Sequence, residues 1–248
     1  MNQEFKDSIA KVRETILPPV HPAGLPFIIG FAFATILLSL VWDFLGFLGL
    51  ALTIWCFYFF RNPKRVTPVR EGLIVSPACG HVSAIIPDVA LPKELDLAQN
   101  RAFDFTRVSI FLNVFDVHVN RFPITGKVIQ KSYQAGAFVN AAFDKASEEN
   151  ERAAILFETD IKGKPTEMAV VQIAGWVARR IICNAEDERT YLTGEEFGII
   201  RFGSRVDVYL PKGVQPLVAI GQRMIEGETV LADLTSKEAA REGVIRQA

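Results

Sequence analysis

The chain has 248 residues, which suits one domain with an appendage. Its formal net charge of −1 excludes the basic footprint that non-specific nucleic-acid binding requires, so no nucleic-acid partner is expected. Its three cysteines, Cys56, Cys79 and Cys183, lie far apart without a Cys-x-x-Cys spacing, which excludes a disulfide framework and a zinc site and suits a reducing, cytoplasmic setting.

Along residues 1–17, Phe5, Ile9, Val12 and Ile16 recur at helical spacing among charged neighbours. This predicts a short amphipathic helix, on a membrane surface or on a soluble one, ended by Pro18, Pro19 and Pro22. Residues 23–42 are then almost wholly apolar, and after Asp43 so are residues 44–60. The first run reaches the ~20 residues that span a bilayer, and the second sits at the lower limit of ~17. No small-residue cleavage site follows, so a signal peptide is not expected. Lys6, Lys11 and Arg13 lie before the pair of runs and Arg61, Lys64 and Arg65 after it, which puts both ends in the cytoplasm if the hairpin spans. A hairpin dipping into one leaflet, or a pair of buried core helices, fits the same composition.

From Glu71 onward the pattern changes to short strands. They are expected over 72–86 (two strands across the turn 77–80), 108–119, 126–133, 154–159, 168–182, 198–210, 218–222 and 225–231, with a polar loop and short helix over 140–151. Residues 236–248 read as helical or frayed. The fold class is therefore α+β: a mostly β soluble domain of short strands, preceded by an apolar helical hairpin. The expected divisions are 1–22, 23–65 and 66–248.

Three histidines are the candidate bases. His21 stands in a Pro-rich turn and reads as a solvated linker residue, and His81 follows the Cys79-Gly80 turn. His118 lies in Asp116-Val117-His118-Val119-Asn120-Arg121, where a lone histidine in a strand is more often structural than catalytic. Over 199–210, Val206, Val208 and Leu210 alternate with Arg205, Asp207 and Tyr209, and Gly203-Ser204 interrupts the run. A glycine there marks a bulge or a close backbone approach. It also leaves a carbonyl open to attack by the Ser204 hydroxyl, forming an ester whose elimination gives a pyruvoyl group.

The longer strings decide between these readings. Phe59-Phe60-Arg61-Asn62-Pro63-Lys64-Arg65, Val75-Ser76-Pro77-Ala78-Cys79-Gly80, Asp116 to Arg121 and Asn150-Glu151-Arg152 come first. Gln172-Ile173-Ala174-Gly175 with Ala178-Arg179-Arg180, and Arg201-Phe202-Gly203-Ser204-Arg205, follow in order. Together they resemble the short-form bacterial phosphatidylserine decarboxylases over nearly the whole chain. The resemblance implies self-cleavage between Gly203 and Ser204 into a large chain 1–203 and a small chain 204–248. It implies a covalent pyruvoyl cofactor made from Ser204, with no metal, and decarboxylation of phosphatidylserine to phosphatidylethanolamine. His118 is then the base of cleavage and the proton donor of turnover. Arg205, Arg121 and Arg201 are candidate binders of the substrate carboxylate or phosphate. The implied partners are a membrane phospholipid, the bilayer and the cleaved small chain, with a homodimer left open. The expected location is the cell membrane with the catalytic domain on the cytoplasmic side.

One position departs from the family. Where it has an aspartate, this chain has Cys79, and a thiol offers no constant charge to a neighbouring imidazolium. Asp116, Asp104 and Glu195 are candidate substitutes. The alternative is an uncleaved, membrane-anchored pseudoenzyme or lipid-binding protein.

Overall fold

The computed structural model describes residues 18–95, 104–136, 150–175 and 180–246. The amphipathic helix expected up to residue 17, the loop over 140–149, and Ala178 and Arg179 lie outside the described residues. The chain divides into two compact units, Met1–Lys64 and Arg65–Ala248.

The first unit is a helical hairpin. Helix α1 (Leu25–Ser39) and helix α2 (Asp43–Phe59) pack on each other, with the hydroxyl oxygens of Thr35 and Thr53 3.0 Å apart between them. Outward-facing side chains such as Ile29, Phe33, Phe47 and Ile54 are exposed, an arrangement that water does not favour. The stretch Pro22–Ser39 is long and apolar enough to cross a membrane, while Asp43–Phe59 is apolar but shorter. The hairpin begins and ends at one place, because His21 N–H donates to the Phe60 carbonyl (2.8 Å) and Val20 bridges Arg61. His21 is not the solvated linker residue expected. It is buried, and its Nδ1 accepts from Ala23 N–H at 3.1 Å, capping the 3-10 turn Pro22–Gly24.

The second unit is built of short antiparallel strands. In chain order they are β1 (Leu73–Val75), β2 (Gly80–Val89), β3 (Phe105–Leu112), β4 (Val119–Arg121), β5 (Gly126–Gln134), β6 (Arg152–Ile161) and β7 (Lys164–Ala174). There follow β8 (Arg180–Cys183), β9 (Thr190–Tyr191), β10 (Glu196–Arg201), β11 (Ser204–Pro211), β12 (Arg223–Met224) and β13 (Val230–Asp233). An eight-stranded sheet runs β12-β2-β3-β11-β7-β6-β5-β9. A three-stranded sheet runs β4-β10-β8, and β1 pairs with β13.

Several expected strands are divided, each for a local reason. The strand expected over 108–119 breaks after Leu112, because Asp116 Oδ2 accepts from Asn113 N–H (2.9 Å) and Asn113 Oδ1 from Phe115 N–H (2.8 Å). That is turn chemistry typical of Asn and Asp. The strand expected over 198–210 breaks at Phe202-Gly203, and its halves, β10 and β11, belong to different sheets. The two strands of 72–86 exist but do not pair with each other, since β1 joins β13 and β2 joins β3. Residues 218–222 form no strand. Gln222 N–H donates to the Ala219 carbonyl at 3.0 Å and closes a turn instead. Residues 225–229 likewise turn, and the strand starts at Val230.

Strand β11 is central and buried on both faces. Val206, Val208 and Leu210 enter the main core with Ile110, Phe157 and Ile200. Tyr209 enters a second core on the opposite face with Phe105, Leu156 and Val171. On that second face Arg205 makes a two-pronged ion pair with Asp207, both bonds 2.8 Å. Removing one partner of a buried pair strands the other charge, at a cost of about 3–5 kcal/mol. Asp207→Ala is therefore expected to lower unfolding stability by that amount in a denaturant titration. A loss under about 1 kcal/mol would mean that water already reaches the pair.

Candidate active site

The site forms where β10 ends and β11 begins. Phe202 (φ 66°) and Gly203 (φ 80°) both occupy the left-handed region, which Phe rarely adopts. Ser204 follows as the first residue of β11. Its side chain is fully buried, and its hydroxyl has no hydrogen-bond partner among the described residues. A buried, unsatisfied hydroxyl is costly and calls for a functional reason.

Gly203 is held from two sides, at its N–H and at its carbonyl. His118 lies in the segment between the Asn113–Asp116 turn and β4. Its Nδ1 donates to the Asp116 carbonyl at 2.9 Å, and its Nε2 accepts from Gly203 N–H at 3.2 Å. These two bonds assign one tautomer, with the proton on Nδ1 and the Nε2 lone pair facing the Gly-Ser junction. From the other side Gly175 N–H donates to the Gly203 carbonyl oxygen at 3.2 Å. That donor is in place to stabilise negative charge on this oxygen during attack on the carbonyl carbon. Residues 174 and 204 are register partners, and Asn150 Nδ2 donates to the Ala174 carbonyl at 2.7 Å, fixing the end of β7 beside Ser204.

Cys79 lies under the His118 segment. The turn leading into β2 passes so close to β3 that a Cβ on Gly80 would sit 2.1 Å from the Phe111 carbonyl oxygen, so residue 80 must be glycine. Cys79 Sγ donates toward Asp116 Oδ1 at 4.0 Å, and its thiol is pushed up to about 11, first by burial and then by the Glu226 carboxylate. It is a neutral side chain, not a nucleophile. Asp116 is buried, and its carboxylate bonds Arg223 Nη2 (2.6 Å) and Asn113 N–H. It is thus the one candidate substitute carboxylate brought to the site, although the atom it offers His118 is its backbone oxygen. Glu195 pairs with Arg189 and Asp104 with Lys212, both on the surface.

The arginines separate. Arg205 points to the face opposite Ser204, toward Asp207. Arg121 donates to the Gly194 carbonyl at 3.1 Å. Arg201 remains next to the Gly-Ser junction, opposite Arg180 in register. His81 is exposed on β2. Among the described residues no group of three or more His, Cys, Asp or Glu side chains is placed to hold a metal ion.

Sequence reading missed Gly175, because a backbone donor leaves no side-chain signature. It also missed Arg223 and Glu226, which only the tertiary fold brings near Cys79.

Residues 52–232 match the phosphatidylserine decarboxylase family. The chain belongs to that family and is a decarboxylase. A phosphatidylserine decarboxylase proenzyme of Cereibacter sphaeroides is 55% identical over 232 residues, covering 94% of this chain and 97% of the relative. That of Ruegeria pomeroyi is 54% identical over 224 residues, covering 90% and 99%. That of Nitrobacter winogradskyi is 53% identical over 217 residues, covering 88% and 85%.

Proposed function

We propose that this chain cuts itself between Gly203 and Ser204 and then converts phosphatidylserine to phosphatidylethanolamine at the cytoplasmic face of a membrane. The observation that carries this reading is Gly203 with Ser204: the glycine is left-handed, its N–H donates to His118 Nε2 and its carbonyl accepts from Gly175 N–H, and it is followed by a buried hydroxyl without a partner among the described residues. In the cut, the Gly203 N–H bond to His118 Nε2 opens and frees its lone pair, Ser204 Oγ adds to the Gly203 carbonyl carbon and loses its proton to that nitrogen, while Gly175 N–H stabilises the charge on the carbonyl oxygen. Collapse breaks the C–N bond, and the Ser204 nitrogen leaves as an amine carrying the proton that His118 returns. Loss of the Ser204 Cα proton then expels the Gly203 carboxylate from the ester, and the dehydroalanine left at residue 204 tautomerises to an imine that water hydrolyses, releasing ammonia and leaving residue 204 as the head of the small chain. A pyruvoyl group there supplies a ketone able to take up the electron pair that departing CO₂ leaves behind. The fit of the site to this group rests on the buried Ser204 hydroxyl. In turnover His118 delivers a proton to the carbon that lost CO₂.

The test is an intact-mass measurement paired with an assay for phosphatidylethanolamine. Expected are two chains, the smaller beginning at a blocked, pyruvoyl-bearing residue 204, and product formation by that material. A single full-length mass without product would favour the uncleaved pseudoenzyme that Cys79 suggests. A free serine at the small chain's start would mean simple hydrolysis without a cofactor.

The membrane reading is supported by the exposed apolar faces of α1 and α2 and by the basic residues on the outer flanks of the hairpin. An alkaline carbonate wash is expected to leave the full chain in the membrane pellet. Release into the wash would indicate a peripheral attachment instead.

A further inference from the structure

Besides Ser204 Oγ, the buried side-chain atoms without a hydrogen-bond partner among the described residues include Asn120 Nδ2 and Gln172 Oε1. Both residues are fully buried. They form one amide pair, in which Gln172 Nε2 donates to Asn120 Oδ1 at 2.8 Å. A buried amide that is only half satisfied is costly, and it calls for a water, a ligand or a chemical role. The pair presents one orphan donor and one orphan acceptor, and turning both amides over would leave the same count.

Strand register places this pair beside the reacting residues. Across β11 and β7, Ser204 lies opposite Ala174 and Val206 opposite Gln172. Opposed residues share a face, so Gln172 stands on the Ser204 side of the sheet, a diagonal step of about 7–8 Å away. A second pairing places Asn120. It lies opposite Gly198 on β10, and Ile200 N–H donates to the His118 carbonyl at 3.2 Å, which continues that pairing back to residue 118. His118 and Asn120 are therefore neighbours on one face.

We propose that Asn120 and Gln172 are positioning residues that hold one buried water, and that this water hydrolyses the imine formed at residue 204 after the cut. This rests on the self-cleavage reading and deepens it. The hydrolysis needs a water, and Ser204 is fully buried, so open solvent does not meet residue 204. An orphan donor beside an orphan acceptor matches the lone pair and the O–H of a water. With Asn120 N–H on one lone pair and one O–H given to Gln172 Oε1, the water keeps a lone pair and an O–H free. That lone pair adds to the imine carbon, and the free O–H gives its proton to the imine nitrogen. Collapse of the adduct forms the C=O bond and breaks the C–N bond, and the second proton of the water leaves with the nitrogen as ammonia.

The test uses the full chain in detergent and the double variant Asn120→Leu/Gln172→Met, which removes both amides at similar volume and leaves neither partner stranded. Two chains should form at close to the parent's rate, by intact mass. Ammonia release, which keeps pace with the cut in the parent, should lag about tenfold behind it in the variant. The second readout needs no cut. In uncut Ser204→Ala, the side-chain amide protons of Asn120 and Gln172 should show cross-relaxation with a long-lived water by nuclear magnetic resonance. Ammonia keeping pace with the cut in the folded double variant would overturn the proposal, and so would amide protons that meet no water. A folded double variant that stays uncut would overturn it as well, giving the pair to the cut itself. Should the double variant not fold, the water contact in the uncut chain decides. If the parent is never cut, the function reading fails and the hydrolytic role falls with it, while a water contact at the amides would leave the bound water standing.

Discussion

Ser204→Ala is expected to run as one uncut chain and to release no CO₂ at any time. The substitution removes the hydroxyl proposed to attack the Gly203 carbonyl, and with it the source of the proposed cofactor. The same change should leave the fold intact. Ser204 Oγ is buried and has no partner among the described residues, so deleting it removes an unsatisfied polar atom and breaks no bond seen there. A gain of about 1 kcal/mol in unfolding stability is expected, set by the desolvation cost of an unpaired hydroxyl. Loss of activity combined with undiminished stability separates a chemical role from a structural one. Two-chain material from Ser204→Ala would sink the cleavage mechanism. A destabilised Ser204→Ala would mean that the hydroxyl is bonded in the folded protein, so its availability as a nucleophile would need another explanation.

Cys79→Asp is expected to accelerate self-cleavage, by up to the ~10⁴ that a carboxylate contributes beside a catalytic histidine, which is about 5.5 kcal/mol of barrier. In the native protein the His118 tautomer is already fixed by the Asp116 carbonyl at 2.9 Å. A carbonyl orients the ring but carries no charge to stabilise the imidazolium that the proposed transfer of the Ser204 proton to Nε2 would form. The thiol of Cys79, pushed up to about 11, supplies none either. The new carboxyl would lie close to Asp116 and Glu226, the same two acids that push the Cys79 thiol up. Like charges favour the protonated form, so the introduced aspartate ionises later than an ordinary one. The acceleration should therefore be small at acidic pH and grow as pH rises. Time courses of two-chain formation for the parent, Cys79→Asp and Cys79→Ala across pH give the answer. Alanine should match the parent. Should aspartate fail to accelerate cleavage at any pH, Asp116 or another group already provides the charge. Should alanine be far slower than the parent, the thiol takes part directly.

The β-rich domain and the hairpin were legible because both depend on local patterns. Alternation with a period of two in 205–210 placed β11 and assigned its two faces correctly. Two long apolar runs on either side of Asp43 placed α1 and α2. The Gly203-Ser204 junction was legible for a different reason, since an ordered set of strings carried the resemblance. What those patterns do not contain is where a strand changes sheet. The run over 198–210 looks continuous because hydrophobicity does not record the sign of φ, and the left-handed pair Phe202-Gly203 separates β10 from β11.

The amino-acid sequence by itself determined the family strings, the hydrophobic hairpin, the candidate nucleophile and the candidate base. Only the tertiary structure decided what surrounds them. It buried Arg205 on the face opposite Ser204 and gave it Asp207 as a two-pronged partner. It brought Gly175 N–H to the Gly203 oxygen across the β7–β11 pairing, a contact made by backbone and so invisible in side-chain chemistry. It also set Cys79 beside Asp116 and Glu226, residues 37 and 147 positions away along the chain. A pattern read along the chain reports on neighbours a few residues apart. The electrostatics of this site arise from residues that meet only when the sheets close over a shared core.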